Sequence, residues 1–154
     1  MRRFNVLAPE LTYDEARPAG YKAGTARFGP IIGSERIAGT VYELPRGEST
    51  WPYHYEYGAE EWLLVLDGHP TLRHPGGEDE LEPGDLVCFA DGPEGAHKLT
   101  NHAEAPARLI ILSTFARPAV AVFPDSDKLG VWPNGDEPTL VRRELVDYWD
   151  GERA

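Results

Sequence analysis

A single cysteine, Cys88, among 154 residues excludes an intrachain disulfide and any zinc site built on several thiolates. It sits in the apolar run Leu86-Val87-Cys88-Phe89, the setting of a small buried hydrophobe. A reactive thiol needs an exposed, electropositive surrounding. Basic residues are scarce too: 15 Lys and Arg stand against 26 Asp and Glu, a formal net charge of −11. The acids are spread along the chain, and the basic pairs are Arg2-Arg3 and Arg142-Arg143. The clustered positive face that binds a phosphate backbone or an anionic membrane is therefore missing. No apolar run nears the roughly 18–20 residues of a membrane span. The start, MRRFNVLAPELTYDE, has no apolar stretch of signal-peptide length. The expectation is a cytoplasmic protein that binds neither nucleic acid nor membrane.

Turn residues are abundant. Glycine and proline number 16 and 14, well above the average share, which excludes a helical bundle. From Arg36 onward, short runs rich in Val, Ile, Leu, Tyr and Thr alternate with Gly/Pro turns, the pattern of an all-β sandwich or barrel. The expected strands are Arg36–Leu44, Trp51–Tyr57, Glu61–Leu66, Thr71–Arg73, Asp79–Leu81, Leu86–Ala90, His97–Asn101 and Ala107–Phe115. Asp67-Gly68, Pro75-Gly76-Gly77 and Pro83-Gly84 set bends through the fixed φ of proline and the positive φ open to glycine.

Three regions follow: residues 1–35 as a lead-in strand or an arm that packs on a neighbouring subunit, 36–116 as a β-barrel, and 117–154 as a C-terminal extension packing on it. In that extension Leu140–Trp149 is the one helix candidate, and Phe123, Trp132 and Trp149 are expected to pack back on the barrel.

The chemistry concentrates in Gly47–Gly68 and Gly84–Asn101. His54 and Glu56 are two apart and share one face of a strand. A tight turn then reverses the chain, so that Glu61 opens the next strand toward the same pocket, and a glycine-rich bend brings in His97. Glu60 competes with Glu61, because a one-residue slip reverses which points inward. Two imidazoles with carboxylates suit a borderline divalent metal such as Zn, Mn, Ni or Fe(II). Without a cation, Glu56, Glu60 and Glu61 would repel one another, and at least one carboxyl should rise in pKa.

These residues resemble the cupin family. Its first motif, G-x5-H-x-H-x3,4-E-x6-G, is matched by Gly47, His54, Glu56, Glu61 and Gly68, with Glu56 in the place of the second histidine and one extra residue after Gly47. The second, G-x5-P-x-G-x2-H-x3-N, is matched by Gly84, His97 and Asn101, with Ala90 in the proline's place and a bend two residues longer. The resemblance implies an all-β jelly roll, or double-stranded β-helix, with a divalent metal held by His54, Glu56, Glu61 and His97. It also implies a homodimer paired through sheet faces, for which the arm and the alternating Tyr53, Tyr55 and Tyr57 are candidates.

Several readings stay open. The barrel is an enzyme-like metal site acting on a small oxygen-bearing molecule, with dioxygenase-, isomerase- or hydrolase-like chemistry, or it is a non-catalytic small-molecule binder without metal. His54-x-Glu56 with His97 also resembles the facial triad of non-haem iron 2-oxoglutarate oxygenases, in which Arg108, eleven positions beyond His97, would serve as the basic residue. His69, His74 and His102 read as turn residues, and Asn101 as a strand end bonded to local backbone.

Overall fold

The computed structural model describes residues 1–114, 117–133 and 137–152. In chain order the strands are β1 (Thr12–Tyr13), β2 (Gly24–Arg27), β3 (Ile37–Leu44), β4 (Tyr55–Tyr57), β5 (Glu61–Asp67), β6 (Thr71–His74), β7 (Gly77–Glu80), β8 (Leu86–Phe89), β9 (Lys98–Thr100), β10 (Ala107–Thr114), β11 (Ala119–Phe123), β12 (Lys128–Trp132) and β13 (Thr139–Arg142), with a four-residue helix, α1 (Gly29–Ile32), before β3. The expected end of the β10 strand at Phe115, and the barrel boundary at residue 116, lie outside the described residues.

One layer of the jelly roll runs β1-β2-β3-β10-β5-β8. The other is assembled from β13-β12-β11-β4 and β7-β6-β9. Its two pieces join through antiparallel bridges between His54 and His97 and between Ser49 and Thr100. The strand expected over Trp51–Tyr57 is thus cut to three residues plus a bridge, since Pro52 has no N–H to give a ladder.

Period-two alternation builds the core. Tyr42 and Leu44 from β3, Leu63 and Val65 from β5, and Leu109 and Ile111 from β10 point inward and meet Leu72 of β6 and Leu99 of β9. Leu44, Leu63, Leu99 and Leu109 are fully buried, and each such side chain contributes about 1.5–3 kcal/mol. The opposite phase of the same strands places Val41 and Ile110 on the outer face. There, with Ala26 and Phe28, they are covered by Phe4, Val6 and Leu11. The first 35 residues therefore lie on their own sheet and supply β1 and β2. Gly68 has φ +79°, and a Cβ there would stand 2.8 Å from the Cα of Ala107, so the β5–β6 turn needs glycine on both counts.

Three expectations change. Cys88 is exposed: Val87 packs against the core and Phe89 is buried within it, so alternation turns Leu86 and Cys88 outward, a phase that an unbroken apolar run does not reveal. Leu140–Trp149 is not helical. Residues Thr139–Arg142 pair as β13 with the edge of β12, where β-branched Thr139 and Val141 suit a strand, and the chain beyond runs as coil into a turn. Trp149 is 71% exposed and does not pack on the barrel. The C-terminal strands, moreover, are part of a layer: β11 pairs with β4, Ala121 opposite Glu56.

Asn101 is fully buried. Its Nδ2 donates to Leu44 O at 2.9 Å and Ala105 O at 2.8 Å, and its Oδ1 accepts from Ala103 N at 3.0 Å. Replacing it strands the buried Leu44 O, at about 1–3 kcal/mol for a group unpaired and out of water, and also frees Ala105 O and Ala103 N, which lie in exposed residues. Asn101→Ala is expected to lose about 2–4 kcal/mol in urea unfolding while leaving the metal content of the folded protein unchanged.

Candidate metal centre

His54 and His97 are locked together by their own backbones. His54 N donates to His97 O at 3.2 Å, and His97 N donates to His54 O at 2.8 Å. This reciprocal pair sets the imidazoles side by side, with ring centroids 4.8 Å apart. The flanks are closed by stacked phenylalanines: Phe89 lies on His97 at 3.7 Å, and Phe123 on His54 at 5.8 Å. His54 Nδ1 is 2.9 Å from Pro52 O and His97 Nδ1 is 2.9 Å from Gly95 O. A carbonyl only accepts, so both Nδ1 atoms carry the proton, leaving Nε2 as the outward-facing nitrogen on each ring. The bend before His97 closes tightly: a Cβ on Gly95 would sit 1.9 Å from Ala90 O.

Glu61, first residue of β5, shares the inward face with Leu63 and Val65, and its Oε2 is 3.3 Å from His97 Nε2. Glu60 points out and accepts from the Trp62 indole at 2.7 Å. Ligand atoms of His54, Glu61 and His97 all lie within 4.8 Å of one another. Glu56 lines the same cavity but stands outside that cluster. The four expected ligands thus divide into three that converge and one that faces them. The cavity has a volume of about 460 Å³, with His54, Glu56 and Glu61 among its lining residues and Trp51, Phe123 and Trp132 as aromatic wall.

The donor set fits a divalent ion. Bonds of roughly 2.0–2.2 Å put neighbouring ligands about 3.0–3.6 Å apart, which matches the Glu61–His97 separation. Both rings anchor Nδ1–H on a carbonyl, so Nε2 is the nitrogen left for an ion, which on His97 would displace the proton shared with Glu61. Two nitrogens with a carboxylate suit Zn, Mn, Ni or Fe(II).

Burial shapes the charges. It lowers the His54 pKa to about 4, with neighbouring His97 adding to the effect, so His54 is neutral near pH 7. Burial also raises Glu56 from 4.5 to about 7, and the Glu61 charge pushes it further up. This is the carboxyl that rises. Burial would raise Glu61 as well, but the hydrogen bond and charge of His97 outweigh it and hold Glu61 low.

The other nominated residues sit elsewhere. Arg108 faces away from the cavity and pairs with Glu43 at 2.6 Å, because β10 alternation turns Leu109 and Ile111 inward instead; the oxygenase-like reading loses its basic residue. Tyr53 and Tyr55 are buried with Ala96 and Val122, leaving Tyr57 as the exposed member. His69 and His102 are exposed, and His74 is 3.0 Å from Asp79. Sequence reasoning missed Arg17 and Arg27, which line the cavity from the N-terminal segment, where no periodicity marks a face. It also missed the pairing of the two phenylalanines with the histidines.

The cupin-domain family model matches residues 40–113, the stretch that holds both histidines, Glu56 and Glu61. The barrel is a cupin. Among solved structures, this cupin is similar to a sugar phosphate isomerase of the cupin superfamily from Silicibacter pomeroyi (20% identity, 99% of this chain and 96% of that one, TM-score 0.80). It is also similar to a putative sugar phosphate isomerase from Acidithiobacillus ferrooxidans (23% identity, 83% of each chain, TM-score 0.75). A third is a polyketide cyclase from Streptomyces resistomycificus (21% identity, 77% of this chain and 82% of that one, TM-score 0.62). At these identities the likeness is one of fold. No curated protein matches the chain.

A carboxyl whose pKa is raised on folding contributes most favourably below its unfolded value and loses that contribution as pH rises through the folded one. For Glu56 the window is about 4.5 to 7. In chelator-treated cupin, Glu56→Gln is expected to stabilise by about 1–3 kcal/mol at pH 8 and by less than about 1 kcal/mol at pH 5, read from urea unfolding at the two pH values.

Proposed function

We propose that this cupin holds a divalent metal ion on His54, Glu61 and His97 and uses it on a small oxygen-bearing molecule admitted to the cavity. The observation that carries the reading is the convergence of three donors beside that cavity, with both imidazoles anchored through Nδ1 so that Nε2 is left for the ion. The ion, when bound, supplies Lewis acidity to hydroxyl or carbonyl oxygens.

Isomerisation is the chemistry we favour. It is named for two structures of similar fold, and it needs what Glu56 offers: a carboxylate that faces the cluster without belonging to it. Moving a carbonyl to the neighbouring hydroxyl-bearing carbon shifts one proton from carbon to carbon and a second from the hydroxyl oxygen to the former carbonyl oxygen. A single carboxylate beside the substrate can carry the first, while the second passes between two oxygens that the ion would hold together. In this reading Glu56 carries the proton rather than acting as the fourth ligand, Trp51 and Trp132 wall the space against bulk water, and Phe89 and Phe123 hold the imidazoles still. A metal-free binding barrel is the second reading. It is favoured by the 3.3 Å contact of Glu61 with His97, which satisfies both groups without an ion.

The protein purified without chelator is expected to contain close to one equivalent of Zn, Mn, Ni or Fe by elemental analysis. Saturating metal at a hundred times its Kd should raise stability by about 2.7 kcal/mol, seen as a higher Tm. His97→Ala should abolish both effects, whereas Glu56→Gln should keep the metal and lose turnover. An unchanged Tm with all four metals, together with absent metal, selects the binding barrel.

We further propose that this cupin pairs as a homodimer through the outer face of β10, β5 and β8. The tyrosines and the arm are largely consumed within the chain, whereas Trp62, Leu86 and Leu112 are exposed and adjoin one another, Trp62 opposite both Leu112 and Cys88. Such a patch is unusual on a monomer. Trp62→Glu is expected to halve the mass measured by light scattering.

A further inference from the structure

Two arginines enter the cavity from a segment that carries none of the metal-ligand motif. Arg17 follows the turn at Asp14, where Arg17 N donates to Asp14 O at 3.2 Å and Ala16 N to Asp14 Oδ1 at 3.0 Å. Arg27 ends β2, a strand held in register against β3 with Arg27 opposite Thr40. Both line the cavity that also holds His54, Glu56 and Glu61.

In a chain where acids outnumber bases 26 to 15, most basic side chains can find a carboxylate. These two are underused. Arg17 meets Asp14 at 3.7 Å through Nε, and its Nη1 is buried without any hydrogen-bond partner. Its guanidinium is stacked over Trp51 at 4.5 Å. Among the described residues, Arg27 forms no ion pair. A buried N–H with no acceptor is costly, and a guanidinium held over an indole keeps a fork of donors that can take two oxygens of a phosphate or carboxylate.

We propose that Arg17 and Arg27 form an oxyanion subsite of this cavity, so that the ligand is a small polyhydroxy compound with a phosphate or carboxylate at one end and its hydroxyl or carbonyl end directed to His54, Glu61 and His97. Arg17 Nη1 donates to one oxyanion oxygen, which gives the orphaned N–H its partner. Arg27 supplies the second charge, and Trp51 keeps the Arg17 fork in plane. The direction of the far end rests on the metal reading; the anion subsite itself does not.

The test separates the two. Chelator-treated protein is titrated with glucose, glucose 6-phosphate and gluconate, with tryptophan fluorescence as readout, since Trp51 lies under Arg17 and Trp132 lines the same cavity. Glucose 6-phosphate is expected to bind at least about tenfold tighter than glucose. Arg17→Gln and Arg27→Gln should each weaken it about five- to twentyfold, and the double variant should bind it no better than glucose. Arg17→Lys, which keeps the charge and loses the fork, should fall between. Gluconate matching glucose 6-phosphate makes the head group a carboxylate as readily as a phosphate and still supports the subsite. The titration is carried out without metal, so failure of the metal reading leaves this result standing. Equal binding of glucose and both anions, or a preference that survives in the folded double variant, overturns the proposal. Unaltered circular dichroism spectra certify that the variants are folded.

Discussion

The site depends on one backbone contact, the reciprocal hydrogen-bonded pair of His54 and His97. Neither residue belongs to a long strand: β4 begins at Tyr55 and β9 at Lys98. What joins them is a two-bond bridge that also stitches the halves of the second layer together. The same contact therefore closes the sandwich and sets the spacing of the two imidazoles. Side chains so placed have little freedom left, because each ring is tethered by Nδ1 to a carbonyl two residues earlier and pressed by a phenylalanine. Preorganisation of this kind lowers the entropy that a bound ion must overcome.

Burial then works against charge in the space these residues enclose. A histidine kept neutral and a glutamate whose pKa burial raises to about 7 are both signs of a pocket that disfavours bare charge. Glu61 escapes because His97 lies against it. An ion on His54, Glu61 and His97 would reverse the balance, since a divalent charge favours the ionised carboxylate and the neutral imidazole alike.

Much of this was legible in the residues. The Gly/Pro bends and alternating runs from Arg36 onward announce a β-sandwich, and the spacing of His54, Glu61, Gly68, His97 and Asn101 brings the donors to one end of it. Other features were hidden for physical reasons. In Leu86-Val87-Cys88-Phe89 every residue is apolar, so nothing in the pattern tells which phase faces the core; contact with β5 decides it. Leu140–Trp149 has helical spacing, but a free β12 edge offers backbone partners that local propensity does not register. Arg17 and Arg27 lie in a stretch with weak periodicity, and only the tertiary packing of that stretch on β3 carries them into the cavity.

Those arginines bear on why a glutamate can stand where the family motif has a histidine. A divalent ion with Glu61 leaves the cluster at a formal charge of about +1, and ionised Glu56 would bring it to zero. A site meant to attract an anion by its metal alone would lose by that exchange. In the proposed anion subsite the attraction comes instead from Arg17 and Arg27, two positive charges that line the same cavity from the N-terminal segment. Glu56 is then free to ionise or to hold a proton without repelling the ligand from the cavity as a whole. The segment that covers the outer sheet thus also provides the charge that the motif residues lack, which ties the arm to the site more closely than its sequence implies.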